Sequence, residues 1–333
     1  MSATKDTLPL QRFPLPTIRR QRLYALILLL AQGGITVTGS IVRVSGSGLG
    51  CDTWPQCHEG SFRPVPGAAP AVQQFIEWGN RLLTFVLLAF FFLVLYAVVR
   101  AGRRKAIVVL AIINGIGIVA QAVIGGITVH AGLKWYTVAL HFIPSMILVW
   151  AAAMLYVKIQ DPDDGHEVET YPRYLRYLAI GSAMALSITL ITGTMVTGAG
   201  PHAGDANVAP EDRLQLPITE LSHVHAGFMY LYLGLTIGVV FGLLAAKASR
   251  NTIKLGWTLI ALIVVQAIVG MIQYWTGVPE VLVPVHVGGS ALVTGFTALL
   301  YQHGLRRKGG QATITGSTAG DTEYVAQQQG IKA

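Results

Sequence analysis

The sequence predicts an all-α polytopic membrane protein: eight transmembrane helices arranged as two tandem four-helix bundles with pseudo-twofold symmetry. Three observations predict it. Of 333 residues, 53% are hydrophobic and only 12% charged, whereas a soluble domain carries about 25% charged residues; too little charge remains to coat a water-facing surface. Apolar runs of about 20 residues, long enough to cross a bilayer core as helices, recur eight times. The second half of the chain repeats landmarks of the first.

Residues 1–22 are polar and basic, and no small-residue cleavage pattern follows the next apolar run, so they read as a cytoplasmic tail before a retained helix. The spans lie at Leu23–Val44, Val72–Val99, Ala106–Thr128, Tyr136–Lys158, Tyr174–Thr197, Ile218–Ala246, Leu255–Thr276 and Val281–His303. The first four form an N-terminal bundle, residues 23–158, and the last four a C-terminal bundle, residues 174–303. Residues 159–173 are a cytoplasmic linker. The Gly-, Gln- and Thr-rich residues 304–333 are expected to be a disordered cytoplasmic tail.

The net charge of +8 does not point to nucleic acid, because the basic residues sit between apolar runs and no basic and aromatic interleaving accompanies them. Of 24 Lys and Arg residues, 19 fall on one side of the predicted spans, among them Arg19, Arg20, Arg103, Arg104, Lys158, Arg250 and Arg306. The positive-inside rule assigns that side, with both termini, to the cytoplasm. Cys51 and Cys57, the only cysteines, then face outward. A redox dithiol and a disulfide are both open to them, and an oxidising compartment favours the disulfide.

The repeat is specific. Gln121-Ala-Val-Ile-Gly125 resembles Gln266-Ala-Ile-Val-Gly270 at an offset of 145 residues, which also carries His141 onto His286, Tyr156 onto Tyr301 and Asn80 onto His225. Thr38-Gly39-Ser40 resembles Thr192-Gly193-Thr194 at an offset of 154, the difference being absorbed by a longer first loop. Four helices per unit is an even number, so both halves face the same way across the membrane.

Ionisable side chains inside lipid are costly and usually functional. His141, His225 and His286, with Asn80 in the matching place on helix 2, each lie about 5–10 residues in from the outer helix end and share one depth. A neutral imidazole presents one lone pair, and two on facing helices suit a six-coordinate haem; zinc wants three or four protein ligands. The reading is a haem between His225 and His286, weighed against a pair of hydrogen-bonded helix-bridging histidines. In the first half Asn80 is a poor iron ligand opposite His141, which leaves an open coordination position there and suggests a reactor in one half and an electron relay in the other. Glu77 and Arg81 flank Asn80 at i and i+4 and pair on one helix face. Glu77 is a candidate for proton handling and Arg81 for a haem propionate; the bland alternative is an intrahelical ion pair.

The weaker histidines are His58 in the cysteine loop, His130 and His202 at outer helix ends, His223 pointing away from His225, and His166 and His303 as solvated cytoplasmic residues. Gly46-Ser-Gly48 and Gly198-Ala-Gly200 read as ends of helices 1 and 5.

The run Gln32-Gly-Gly-Ile-Thr-Val-Thr-Gly-Ser-Ile-Val-Arg-Val-Ser-Gly-Ser-Gly-Leu-Gly-Cys51, followed by Trp54-Pro55 and Cys57, resembles the first loop of haem A synthases. So do Glu77-Trp-Gly-Asn-Arg81, Leu140-His141, Gly198-Ala-Gly-Pro-His-Ala-Gly204 and Val285-His286; the resemblance runs from about Leu23 to His303. It implies oxidation of the ring methyl of haem O to a formyl, giving haem A for terminal oxidases. It further implies haem b between His225 and His286, a substrate haem on His141 in the N-terminal half, a role for Glu77, and a Cys51–Cys57 disulfide. Its implied partners are haem O synthase, the prenyltransferase of the preceding step, and terminal-oxidase assembly, within a bacterial cell membrane. Two features depart from the pattern. Asn80 stands where many members carry His, and Asn-Arg here resembles an actinobacterial branch. The second outward loop also lacks the cysteine pair of some relatives.

Two other readings compete: a cytochrome b-like electron-transfer protein that modifies neither haem, and a transporter with duplicated halves and no haem. A prenyltransferase is disfavoured, because Asp161-Pro-Asp-Asp164, the only acidic cluster, has no second motif and reads as a solvated linker.

Overall fold

The computed structural model describes residues 14–204 and 209–309. Eight long helices follow one another: α1 (Ile18–Val44), α2 (Ala71–Arg100), α3 (Lys105–His130), α4 (Trp135–Lys158), α5 (Arg173–Ala199), α6 (Ile218–Ala245), α7 (Arg250–Trp275) and α8 (Leu282–His303). All eight are long and apolar enough to cross a membrane. At 22 to 30 residues each, they span about 33 to 45 Å against a hydrocarbon core of about 30 Å. Their outward faces are bare of polar cover: Phe85, Ile116, Leu140 and Ile147 are 68%, 65%, 63% and 62% exposed. Such a surface is stable only against lipid.

Two helices begin five residues before their apolar runs. Thr17 Oγ1 accepts from the Arg20 amide at the start of α1, and Ser249 Oγ accepts from the Thr252 amide at the start of α7. Hydropathy marks the lipid-crossing stretch, whereas the cap decides where helix begins. At the other ends, α2 and α3 stop at Gly102 and Gly132, both at positive φ. There the Arg103 amide reaches the Val98 carbonyl and the Leu133 amide the Thr128 carbonyl, which satisfies last-turn acceptors in a conformation glycine adopts without strain.

Packing reproduces the sequence repeat. α1 packs on α2, α2 on α3, α3 on α4 and α4 on α1; α5 through α8 form the same ring of neighbours, and α8 meets α4 and α1 across the seam. Each ring encloses its own core. The first is built on Leu28, Phe91, Val94, Ile107 and Leu155, the second on Leu186, Tyr232, Leu243, Leu259 and Ile263. At the seam, small residues allow close approach: a Cβ on Gly33 would lie 3.7 Å from that of Ala291, and one on Gly288 3.1 Å from Val37. Small residues let helix backbones approach where lipid supplies no hydrophobic drive.

The linker and the start of the tail depart from expectation. His166–Glu169 forms strand β1 and Leu305–Lys308 strand β2, antiparallel, with His166 opposite Lys308 and Glu169 opposite Leu305. Residues 305–308 are therefore ordered, not a disordered tail; residues 1–13 and 310–333 lie outside the described residues. Asp161, expected in a solvated linker, is 3% exposed in its side chain and pairs with Arg306 at 2.6 Å and Arg104 at 3.7 Å. Arg103 bonds Asp163 at 2.8 Å, Gln21 and the Ile159 carbonyl. A buried carboxylate needs such partners, and the basic ends of α3 and α8 supply them. Tyr171 donates to the Leu300 carbonyl, and burial pushes its phenol up. His303, expected to be solvated, is half-buried.

Candidate functional site

His225 on α6 and His286 on α8 place their rings 6.5 Å apart, centroid to centroid, at 59°. Imidazole nitrogens bind metals at about 2 Å, so two rings on opposite faces of one iron have centroids about 6 Å apart. The pair fits that span. His225 Nδ1 lies 2.9 Å from the Thr189 carbonyl and 3.3 Å from Thr192 Oγ1. A carbonyl only accepts, so Nδ1 carries the proton and the lone pair resides on Nε2. His286 Nδ1 is shielded and has no hydrogen-bond partner. Two glycines shape the space: a Cβ on Gly193 would lie 3.1 Å from His225 Cε1, and one on Gly270 3.2 Å from His286 Cε1. Among the described residues no three His, Cys, Asp or Glu side chains converge, so a two-ligand group fits these donors and a zinc-type site does not.

The first half repeats this frame with one substitution. A Cβ on Gly125, the counterpart of Gly270, would lie 3.3 Å from His141 Cε1, and His141 Nδ1 is likewise shielded and unpartnered. Where His225 meets Thr192, Asn80 accepts from Thr38 Oγ1 at 2.7 Å. Thr38 and Thr192 are counterparts, so the threonine that touches the ring in one half holds the amide in the other. Beside Asn80 a cavity of about 250 Å³ opens between α1 and α2, lined by Thr38, Ile41, Ile76, Gly79, Asn80 and Leu83.

Glu77 and Arg81 do pair, at 2.5 Å, and both are also committed to the cysteine loop. Glu77 Oε2 accepts from the Cys51 amide at 2.7 Å. The Arg81 guanidinium donates to the carbonyls of Cys51, Thr53 and Gln56. Cys51 and Cys57 form a disulfide, S–S 2.01 Å, so α2 grips both strands of a closed loop. A propionate at Arg81 would have to displace those carbonyls.

Some contributors were not singled out from sequence. Gln74, 1% exposed, holds the loop through Val65, Ala69 and His58 Nε2, and His58 Nδ1 reaches Asp52 at 2.9 Å. Trp54 lies over Gly126, and its carbonyl accepts from His130. His202 bonds the Val278 carbonyl in the equivalent place of the other half. His223 is exposed, with its ring against Tyr274. Arg43, in the last turn of α1, has a shielded Nε without a partner. Gln32 Nε2 and both ends of the Gln121 amide are also shielded and unpartnered. A glutamine in an apolar run carries no periodic signal, and Gln121 was marked only by its repeat with Gln266; the signal for Arg43 was a cation inside a predicted span.

The chain resembles proteins named heme A synthase in several bacteria. That of Exiguobacterium sibiricum is 31% identical over 168 residues, 50% of this chain and 55% of that protein. Those of Staphylococcus carnosus and Lysinibacillus sphaericus are 27% and 25% identical over 76% and 73% of this chain, and 83% and 81% of theirs. The match to the first thus spans about half the length of that relative, and those to the other two most of it. The narrower expectation of an actinobacterial branch is not borne out by these relatives. A family model described as COX15-CtaA, cytochrome oxidase assembly protein, matches residues 22–298, and the chain belongs to that family.

Proposed function

We propose that the chain is a haem A synthase, oxidising the ring methyl of haem O to a formyl group to give haem A for terminal oxidases. The single observation that carries the reading is the opposed pair His225 and His286, 6.5 Å apart, on a frame the first half repeats with Asn80 and His141. The names of its relatives and the family's description as oxidase assembly proteins support it.

Each half then has its own task. In the C-terminal bundle His225 and His286 would hold haem b through Nε2, the bond from His225 Nδ1 to the Thr189 carbonyl fixing that ring's tautomer. When bound, a bis-His haem supplies one-electron transfer. In the N-terminal bundle His141 would hold the substrate iron, and Asn80, a poor iron ligand, is tethered to Thr38 instead. The catalytic candidates are Glu77 and His141. Glu77, 4% exposed and bonded to Arg81 and the Cys51 amide, holds the loop against the substrate bundle and is the candidate to accept or return a proton. Arg43, with its unpartnered Nε, is the cation for a propionate, since Arg81 is occupied by loop carbonyls.

On this reading the chain lies in the bacterial cell membrane with both described ends and the β1–β2 ribbon in the cytoplasm, an orientation the clustered basic residues support. Its substrate comes from the prenyltransferase step that makes haem O, and its product goes to terminal-oxidase assembly. The test is to supply haem O to membranes carrying the protein and extract the pigment. Haem A in the extract supports the proposal. Unchanged haem O beside a normal bis-His spectrum would assign an electron-transfer role, and colourless purified protein would leave a transporter.

A further inference from the structure

Gln266 and Gln121 are counterparts in the repeat, yet they are used differently. Gln266 Nε2 donates to the His286 carbonyl at 2.6 Å, and its Oε1 occupies the space where a Cβ on Gly289 would stand. Its amide is a strut between α7 and α8. In the first half the position matching Gly289 is Pro144, which lies inside α4. The His141 carbonyl, equivalent to the acceptor of Gln266, is taken by Ser145 Oγ at 2.9 Å. The strut position is thus filled without Gln121, whose Nε2 and Oε1 are both shielded and both without partners. Leaving a buried donor and acceptor unmet is costly, so the amide is kept for something absent from the chain itself.

Its place indicates what. Gly125 lies against the His141 ring, and Gln121 is four residues earlier on α3, one turn deeper on the same face. A porphyrin bound through His141 would turn its ionised propionates toward the disulfide side, where Arg43 lies in the last turn of α1, because charge is most costly at depth. Its opposite edge, bearing uncharged substituents, would then lie at the level of Gln121. On haem O that edge carries the hydroxyl of the prenylated ethyl side chain, a group haem b lacks. A hydroxyl is both donor and acceptor, as the free carboxamide demands.

We propose that Gln121 is a specificity-determining residue which hydrogen-bonds this hydroxyl and so selects haem O over haem b in the N-terminal bundle. The inference rests on the haem A synthase reading. A site built to bond a hydroxyl rejects the analogue without it more strongly than an apolar pocket can.

The experiment uses the full-length protein in detergent, titrated spectrally with haem O and separately with haem b, alongside turnover with haem O. Gln121→Met keeps the shape and removes both hydrogen bonds, Gln121→Asn keeps the amide but withdraws it, and Gln266→Met is the strut control. Expected is about a tenfold or greater rise in Kd and KM for haem O in Gln121→Met, with haem b affinity at that site unchanged and the bis-His spectrum intact. Gln121→Asn, whose amide is held short of the hydroxyl, shows a smaller rise. Gln266→Met instead lowers thermal stability and perturbs the bis-His spectrum. Equal loss of haem O and haem b affinity in Gln121→Met, or none, overturns the proposal. A wild-type protein that binds haem O without converting it overturns the parent reading and leaves this selectivity measurable.

Discussion

At the scale of single residues, His286 is where imidazole chemistry and packing meet. Its ring faces His225 and its Nδ1 finds no partner, so its removal would take away the proposed ligand and little else. We expect His286→Ala to abolish the bis-His absorption spectrum while circular dichroism remains that of a helical protein; an unaltered spectrum would refute the assignment. Glu77 behaves differently. Alanine there leaves Arg81 without its carboxylate and the Cys51 amide without an acceptor. Breaking one side of a buried pair costs about 3–5 kcal/mol, so Glu77→Ala should lower the melting temperature as well as stop turnover. Glu77→Gln keeps an acceptor for Cys51 and should retain more of the stability. If that variant also keeps full turnover, Glu77 is a loop anchor and handles no proton.

At the scale of elements, the glycines facing the histidines decide which half a substitution damages. Valine at Gly125 would press into a ring already 3.3 Å from a built Cβ, and valine at Gly270 into one at 3.2 Å. Overpacking of this kind costs about 1–3 kcal/mol. We expect Gly125→Val to weaken substrate-haem binding with the bis-His spectrum unchanged, and Gly270→Val to do the reverse. Identical effects in a binding titration would show that the halves are not separate sites. The helices themselves were legible because lipid imposes one rule on every span, and the depth of the histidines followed from counting inward from the span ends. Arg81 shows what counting leaves out. Its spacing from Glu77 predicted the ion pair, but three carbonyls of a loop about 25 to 30 residues away in sequence take the rest of the guanidinium. Gln74 was missed for the same reason: hydrogen-bond partners distant in sequence leave no periodic trace.

At the scale of the whole molecule, the two bundles are joined by a seam of small residues within the membrane and by charged residues at one rim. Asp161 ties the linker to Arg104 and Arg306, and strand β2 continues α8 into the pairing with β1. This was unreadable in sequence, since a four-residue strand of mostly charged residues has no apolar alternation and resembles a solvated tail. Asp161→Asn removes the charge facing two half-buried arginines. A fall in melting temperature is expected, with the loss moderated by the amide's remaining hydrogen bonds; an unchanged melting curve would reduce the rim to a surface ornament.

The clasp formed by β1, β2 and Asp161 ties the two bundles at one rim, and Trp135 of α4 against Gly198 of α5 ties them at the other. With α8 packed on α1 and α4 between those rims, the halves are held along their whole length. Parting one from the other means giving up contacts at every level.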